Sequence, residues 1–425
     1  MKKYEGQRGQ TLPLVAMGIA LLVATAGFAV DAGYHQYHQR MQQTATDSAA
    51  LAGAQELLVG DWLAAARKDA SNNGYADNTG QNTCPVNPAV GTVCVVVQNP
   101  PPNTDAYSGN AQAVEVDITA YHPTFFESVF DINNVPVSTK AVAVLTTAAS
   151  PNCMYVLSGS ANFNAGQNGG TLSAPNCGLV FNGGANFNNA TVNAKAISCA
   201  ATCSNGTFSG AQPKTTAPAS DPCPQMSNCA YLAAHPPTTC STNLTAGNNQ
   251  NIIVPSGCYN NLDLHKANSV TFDCGLYVIS GSLNASASGN NSVITINQQS
   301  GCGVTFYVTG SGSVNMRNAN INLAAPTSGD YTQYSAGEQN ILFYQDSADS
   351  NPLVLQSASC QTCSAQLSGM IYAPTANLNY NQGASANTGT IMIVAGSLNY
   401  NGTTTSLFGV PTGPGGSPSI AVLGE

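Results

Sequence analysis

Charge is what this chain has least of. Only 7% of its 425 residues are Asp, Glu, Lys or Arg, where a globular protein carries about a quarter. The net charge of −9 leaves no basic face for nucleic acid or anionic lipid. Scarce charge does not mean disorder here, because 43% of the residues are hydrophobic and a core is within reach. Gly, Asn, Ser, Thr and Ala take the place of charged residues. That composition suits closely stacked β structure punctuated by Gly and Asn better than a helix-rich enzyme. Cysteine is missing before Cys84. The common catalytic signatures are missing as well: there is no G-x-S-x-G, no H-E-x-x-H and no phosphate-binding loop.

What is present is concentrated first at the start. Lys2, Lys3 and Arg8 precede an uncharged apolar run from Thr11 to Val30, which Asp31 ends. About 20 apolar residues at ~1.5 Å rise span the ~30 Å hydrocarbon core of a bilayer. The basic flank comes first, so the start is expected in the cytoplasm and everything after Asp31 outside it. The run exceeds the usual signal-peptide core of about 7–15 residues and continues into a polar helix. An uncleaved anchor is therefore preferred over a signal peptide cut near Ala24-Thr25-Ala26.

Asp31 is costly at the end of an apolar run unless it reaches water or a partner. It either marks the outer interface or pairs with a basic group of a neighbouring subunit. Residues 31–70 read as helix, with Tyr34, Tyr37, Met41, Ala45, Ala49 and Ala52 on one stripe at spacings of three and four. Gly53 and Gly60 weaken it, and Asn72-Asn73-Gly74 ends it. The expectation is one long rod rising from the membrane. Asp31, Tyr34, Tyr37 and Met41 are its candidate docking residues; the stripe serves either a core or neighbouring helices.

This stretch also carries a resemblance. Arg8-Gly9-Gln10, the apolar run, Val30-Asp31-Ala32-Gly33-Tyr34 and Ala45-Thr46-Asp47-Ser48-Ala49-Ala50-Leu51-Ala52-Gly53-Ala54 resemble the amino-terminal region of Tad/Flp pilus-assembly proteins of the TadE/TadG type. A looser likeness continues to about residue 146 through Val114-Glu115-Val116-Asp117-Ile118, Thr124-Phe125-Phe126 and Val137-Ser138-Thr139-Lys140. The resemblance implies a membrane anchor with an exported domain and no catalytic residues. Prepilin-type cleavage after Gly9 would want Glu where Leu14 stands. Some TadG-like proteins carry a D-x-S-x-S adhesion motif; Asp346-Ser347-Ala348-Asp349-Ser350 has Ala where its first Ser belongs.

Fourteen cysteines follow the anchor: Cys84, Cys94, Cys153, Cys177, Cys199, Cys203, Cys223, Cys229, Cys240, Cys258, Cys274, Cys302, Cys360 and Cys363. An even count confined to the exported part reads as disulfides of unassigned pairing. The competing readings are zinc and a redox-active CxxC at Cys360-Gln361-Thr362-Cys363. Zinc would want a second pair nearby, and a redox motif would want a βαβ context; neither is evident.

Residues 84–150 look like strands. Val90 to Val97 is β-branched, Val114, Val116 and Ile118 alternate with polar residues, and a third run extends from Val135 to Leu145. A small α+β domain closed by Cys84 and Cys94 is expected. Near residue 150 the texture changes: 151–425 holds four Lys/Arg and eight Asp/Glu. Repeats begin there. Pro151-Asn152-Cys153 with Phe163 matches Pro175-Asn176-Cys177 with Phe187; Cys274-Gly275-Leu276-Tyr277-Val278 echoes Cys302-Gly303-Val304-Thr305-Phe306; Leu378-Asn379-Tyr380-Asn381 recurs as Leu398-Asn399-Tyr400-Asn401. Periods of about 20–28 residues suit one solenoid coil each, with Gly, Asn and Ser at the corners; a β-sandwich is the alternative. A Pro/Thr/Cys-rich insertion near 204–250 reads as a disulfide-tied excursion on one face. Residues 413–419 read as a flexible tail.

Enzymes also use such solenoids, with paired carboxylates across a groove or a base beside acidic calcium ligands. Asp221, Asp263, Asp273, Asp330, Glu338, Asp346, Asp349 and Glu425 do not recur at equivalent positions of adjacent repeats. Asp346 and Asp349, the closest pair, read as a solvated turn. His35 and His38 stand one helical turn apart without an evident third ligand. No catalytic or metal site and no cofactor is assigned.

The fold class expected is mainly β: an N-terminal transmembrane helix and long helix, a small α+β domain, and a C-terminal disulfide-braced, β-helix-like solenoid. The boundaries expected are 1–30 for the cytoplasmic tip and anchor, 31–150 for the exported helix and small domain, and 151–425 for the solenoid. The function expected is non-enzymatic: a structural or minor component of a Tad/Flp-type pilus or its assembly machine. It would sit in the bacterial inner membrane as a single-pass protein, its bulk periplasmic or surface-exposed. The partners are the membrane and other pilus-assembly or pilin subunits, with no nucleic acid. The alternatives are a surface adhesin that binds glycans through Asn, Tyr and Ser on the solenoid, and a polysaccharide-active enzyme.

Overall fold

Without charge or proline after Pro13, the apolar run has nothing to break it, and Thr11–Glu56 forms a single α-helix (α1). The structure, a computed structural model, describes residues 11–424 except 58–60, 87, 103–105, 148–150, 161–162, 166–169, 288–292, 328–338, 356–362, 384–386, 403–404 and 412–418. It divides into two units, residues 1–146 with 420–425 and residues 147–419. The protein is mainly β, with one long apolar helix and many disulfides. Cys360 and residues 413–418 of the expected tail lie outside the described residues.

In the first unit, β1 (Val93–Gln98), β2 (Ala113–Pro123) and β3 (Asn134–Thr147) form an antiparallel meander, and strand Ser419–Leu423 adds to the edge of β3. The end of the chain thus belongs to this unit and not to the domain expected over 151–425. The second half of α1 lies on the sheet. Ala45, Ala49, Ala50 and Ala54 pack on Val95, Val97, Val114, Val116 and Ile118. The buried Gln42 Nε2 donates to the carbonyls of Ile118 at 2.7 Å and Val137 at 2.8 Å. Glu115, expected to face solvent, is buried and paired with Lys140 Nζ at 3.0 Å. Cys84 and Cys94 are joined.

The expected continuous rod to residue 70 is corrected: α1 ends at Glu56, and a separate helix, α2 (Trp62–Asn72), packs against it. The reason is the run of small residues. A Cβ on Gly53 would meet the Ala66 Cβ at 3.1 Å and the Val114 Cγ1 at 3.1 Å. Folding back buries the alanine faces of both helices, including Ala66 and Ala70, which a straight rod would leave in water.

In the second unit every described pairing is parallel, and the strands stack in an order the sequence does not follow. Thr242–Thr245 pairs with Gly257–Asp263, which pairs with Gly275–Asn284 and then with Val304–Val308 and Ser313–Met316. The stack continues through Ile341–Gln345 and Leu353–Leu355 to Ala365–Gly383 and Asn387–Gly402. Asn387–Gly402 pairs with Asn152–Val156, the first strand of the unit, through Ile393↔Met154 and Val394↔Tyr155. From there the stack runs on through Thr171–Phe181 and Thr191–Cys199 to Pro213–Thr215.

The interior is a column of aromatic and aliphatic side chains. Tyr277 stacks on Phe306 at 5.2 Å and Phe306 on Phe343 at 4.9 Å. Asparagines occupy left-handed corners, as at Asn205 and Asn318 with φ of 56° and 51°; Asn tolerates that region better than most residues. Cys153–Cys177, Cys240–Cys258 and Cys274–Cys302 bridge segments far apart in sequence, Cys199–Cys203 and Cys223–Cys229 close short loops, and Cys363 is also disulfide-bonded.

The excursion expected near 204–250 is the return path from one end of the stack to the other. The Ala219 N–H donates to Asn182 Oδ1 at 2.7 Å, and Tyr372 donates to Asp221 at 2.6 Å. Asn228 donates to the Gln339 carbonyl at 2.6 Å, and Tyr307 to the Leu232 carbonyl at 3.2 Å. Cys240 is bonded to Cys258. With helix α3 (Ser227–Ala234), this strap covers the second apolar face of the strands, where Tyr155, Val180, Val278, Tyr344 and Met370 are buried.

Candidate membrane-anchor and docking site

α1 has two halves with different neighbours. Residues 12–26 are exposed along their whole length, and the helix is long and apolar enough to cross a membrane. Contact begins at Gly27, where an added Cβ would lie 2.5 Å from the Phe126 ring. Phe28 stacks with Phe130 at 6.1 Å. Phe126 and Phe130 belong to the turn between β2 and β3, which contains a short 3-10 helix, Glu127–Phe130.

Asp31 is fully buried. Its Oδ1 accepts the Phe125 N–H at 3.0 Å, and its Oδ2 accepts those of Phe126 at 2.8 Å and Glu127 at 2.9 Å. The carboxylate therefore caps the start of the 3-10 turn, where backbone N–H groups lack partners of their own. Within the chain Asp31 thus meets backbone donors of its own unit, a partner that neither sequence reading of it named.

One helical turn on, Tyr34 lies against Phe125 at 5.2 Å and His38 at 4.4 Å, and His38 against His122 at 4.2 Å. Burial holds the His122 imidazole below its ordinary value, with the neighbouring histidines adding to the effect. Among the described residues, no group of three or more His, Cys, Asp or Glu side chains is placed to hold a metal ion. Tyr37 and Met41 are 60% and 48% exposed. The four docking candidates thus divide between two faces: Asp31 and Tyr34 pack within the chain, Tyr37 and Met41 do not. The buried stripe runs instead through Asp31, Gln42, Ala45, Thr46, Ala49 and Ala50. Sequence reasoning missed Phe125, Phe126 and Phe130 as partners of the helix; five large apolar residues in a short turn were the available signal.

Three acids of the second unit are held by near neighbours in sequence. Asp263 Oδ1 contacts His265 Nδ1 at 2.5 Å. Asp346 Oδ1 accepts the Ala348 N–H at 3.0 Å, and Asp349 Oδ1 that of Asn351 at 2.9 Å. Asp349 is buried, not solvated, and burial pushes its carboxyl above the usual range. Asp330, Glu338 and Glu425 lie outside the described residues.

A polar row runs along one outer face of the stack. Asn284, Asn315, Val354, Asn379, Asn399, Asn164 and Asn186 are successive register partners. Asn399 Nδ2 donates to Asn379 Oδ1 at 3.0 Å. The tyrosines are elsewhere: Tyr277, Tyr380 and Tyr400 are interior, and Tyr307, Tyr344 and Tyr372 lie on the strap-covered face.

No curated protein and no solved structure matches the chain at a significant level. A family model does match, over residues 9–56, and its description is Putative Flp pilus-assembly TadE/G-like. The matched residues are the lipid-length run, the buried Asp31 and the alanine face seated on the sheet, and over them the chain is similar to the TadE/G-like proteins of Flp pilus assembly.

Proposed function

We propose that this chain is a non-catalytic, single-pass membrane component of a Flp-type pilus or of the machine that assembles it. α1 holds it in the inner membrane with its basic start in the cytoplasm. Its second unit stands outside as a disulfide-braced β-solenoid, a reading supported by parallel pairing throughout and by an interior column of stacked aromatics. The observation that carries the proposal is the family match over a helix whose first half is exposed and apolar and whose second half is built into a folded domain. Such a helix joins a membrane to a rigid body.

The test is complementation. Cells lacking the protein should lose pili, and a variant with Asp263→Asn, Asp346→Asn and Asp349→Asn should restore them. If that variant folds and reaches the envelope but fails like the deletion, carboxylate chemistry is required and the scaffold reading falls.

A second reading is favoured by the outer row of Asn side chains, whose amides donate and accept: a surface adhesin for glycans. Among the described residues the tyrosines of the stacked strands take no part in it, since they are buried. Glycan-array binding by the full chain that is lost on Asn379→Leu with Asn399→Leu would support it; no binding to any glycan would dismiss it.

A further inference from the structure

The turn between β2 and β3 carries five large apolar side chains that its own unit does not cover. Phe125, Phe126, Val129, Phe130 and Ile132 are 53, 42, 79, 63 and 47% exposed. Exposed patches of this kind mark interaction surfaces, and here the neighbouring surface identifies the partner. The turn lies against α1 at Gly27 and Phe28, inside the uncharged run that ends at Asp31. At ~1.5 Å per residue these contacts fall about 4–6 Å inside the end of that run. We propose that residues 124–132 are a second membrane contact, a turn that inserts its apolar side chains into the leaflet from which α1 emerges. The inference rests on the reading of α1 as a membrane anchor.

The polar groups fit that placement. A turn entering hydrocarbon must satisfy its backbone N–H groups internally, and a carboxylate at the edge of hydrocarbon must find donors. Asp31 and the N–H groups of Phe125, Phe126 and Glu127 meet both requirements together. The charges of Glu127 and Asp131 limit the depth, because a carboxylate belongs among the headgroups. Shallow burial of about 5–10 Å is what an interfacial apolar face adopts. The occupant is lipid and not another protein because the patch is continuous with the exposed lipid-length half of α1 through the Phe28–Phe130 stack.

Tryptophan quenching tests this in the full chain. Trp62 is the only tryptophan. It lies beside Gly53, about 33 Å beyond Asp31 along the helix, so the wild-type protein in phosphatidylcholine vesicles brominated on their acyl chains should remain unquenched. Leu21→Trp reports on the anchor and Phe130→Trp on the turn, each read as the emission added over wild type. The proposal expects Phe130→Trp to lose about half or more of its added emission, more with bromines near the headgroup than deep in the chain, and Leu21→Trp to show the opposite depth preference. If Leu21→Trp is quenched and Phe130→Trp is not, the turn faces water or a protein partner; the proposal is overturned and the anchor stands. If neither is quenched, the anchor reading fails and takes the proposal with it. Val129→Trp, at the most exposed of these positions, repeats the measurement should Phe130→Trp alter the circular dichroism.

Discussion

Replacing Phe187 with aspartate should unfold the second unit and leave the first intact. Phe187 is fully buried, with ring centroids of Phe163, Phe181 and Phe208 at 5.4, 5.6 and 5.4 Å. A phenylalanine buries about 150–250 Å², which at about 25 cal/mol/Å² is worth about 4–6 kcal/mol. Phe187→Ala should therefore cost about 3–5 kcal/mol. Phe187→Asp sets a carboxylate among the rings of Phe163, Phe181 and Phe208, a further penalty of several kcal/mol. Folded domains are stable by about 5–15 kcal/mol, so the alanine variant should survive with a lowered midpoint and the aspartate variant should not. The chain offers separate probes for its two units. Trp62 belongs to the first unit and most of the stacked tyrosines to the second. In a urea titration of the full chain in detergent, Phe187→Ala should shift the near-ultraviolet tyrosine signal to lower urea while the tryptophan transition stays put. A tyrosine signal in Phe187→Asp that melts with the wild type would refute the interior placement and the aromatic column with it.

Three further outcomes follow from particular contacts. Asp31→Ala removes the acceptor for three N–H groups; at about 1.5–3 kcal/mol for charged hydrogen bonds, amide exchange at Phe125 to Glu127 should quicken about tenfold to a hundredfold, and unchanged protection would contradict the capping role. Asp349 Oδ2 and Gln345 Oε1 are both buried acceptors without a well-formed hydrogen bond among the described residues, and burial raises the Asp349 carboxyl. Ionisation therefore opposes folding above the raised value and ceases to matter below the ordinary one, so Asp349→Asn should stabilise the unit by about 1 kcal/mol at neutral pH, with the gain vanishing in acid; equal thermal midpoints at both pH values would count against it. Removing the Cys240–Cys258 bridge, which spans 18 residues, should cost about 3 kcal/mol and expose the strap to protease before the stacked strands; simultaneous cleavage of both would show that the strap is no separate layer.

Much of this architecture can be read from residue order, and what cannot has a common cause. The apolar run, the cysteines that follow it and the inward Val, Leu and Phe positions are local patterns, and period-two alternation assigns a face without knowledge of the neighbour. The pairing Leu378↔Leu398 through Asn381↔Asn401 follows the repeat register read from sequence, because the repeated Asn residues mark the outer face. The other two repeats slip. Phe163 pairs with Ala185 and not Phe187, although the two rings touch, and Tyr277 pairs with Phe306 and not Thr305. Strands around Tyr277 are apolar on both faces, because the strap covers the second one, so alternation cannot fix their register. The donors of Asp31 were illegible for a related reason: they come from residues 125–127, and no local pattern announces a turn almost a hundred residues away.

The order of the stack sets a condition on when it can be finished. Synthesis delivers Asn152–Val156 early, but this strand lies in the middle, and one side of it stays open until Asn387–Gly402 arrives. Strand Ser419–Leu423, later still, fills the edge of β3 in the other unit. A chain interrupted late in synthesis would present an unpaired strand edge in each unit, and bare edges invite capture by other chains or by proteases. The late strands therefore act as seals, Asn387–Gly402 for the second unit and Ser419–Leu423 for the first, and both sheets wait on the far end of the chain for their full complement.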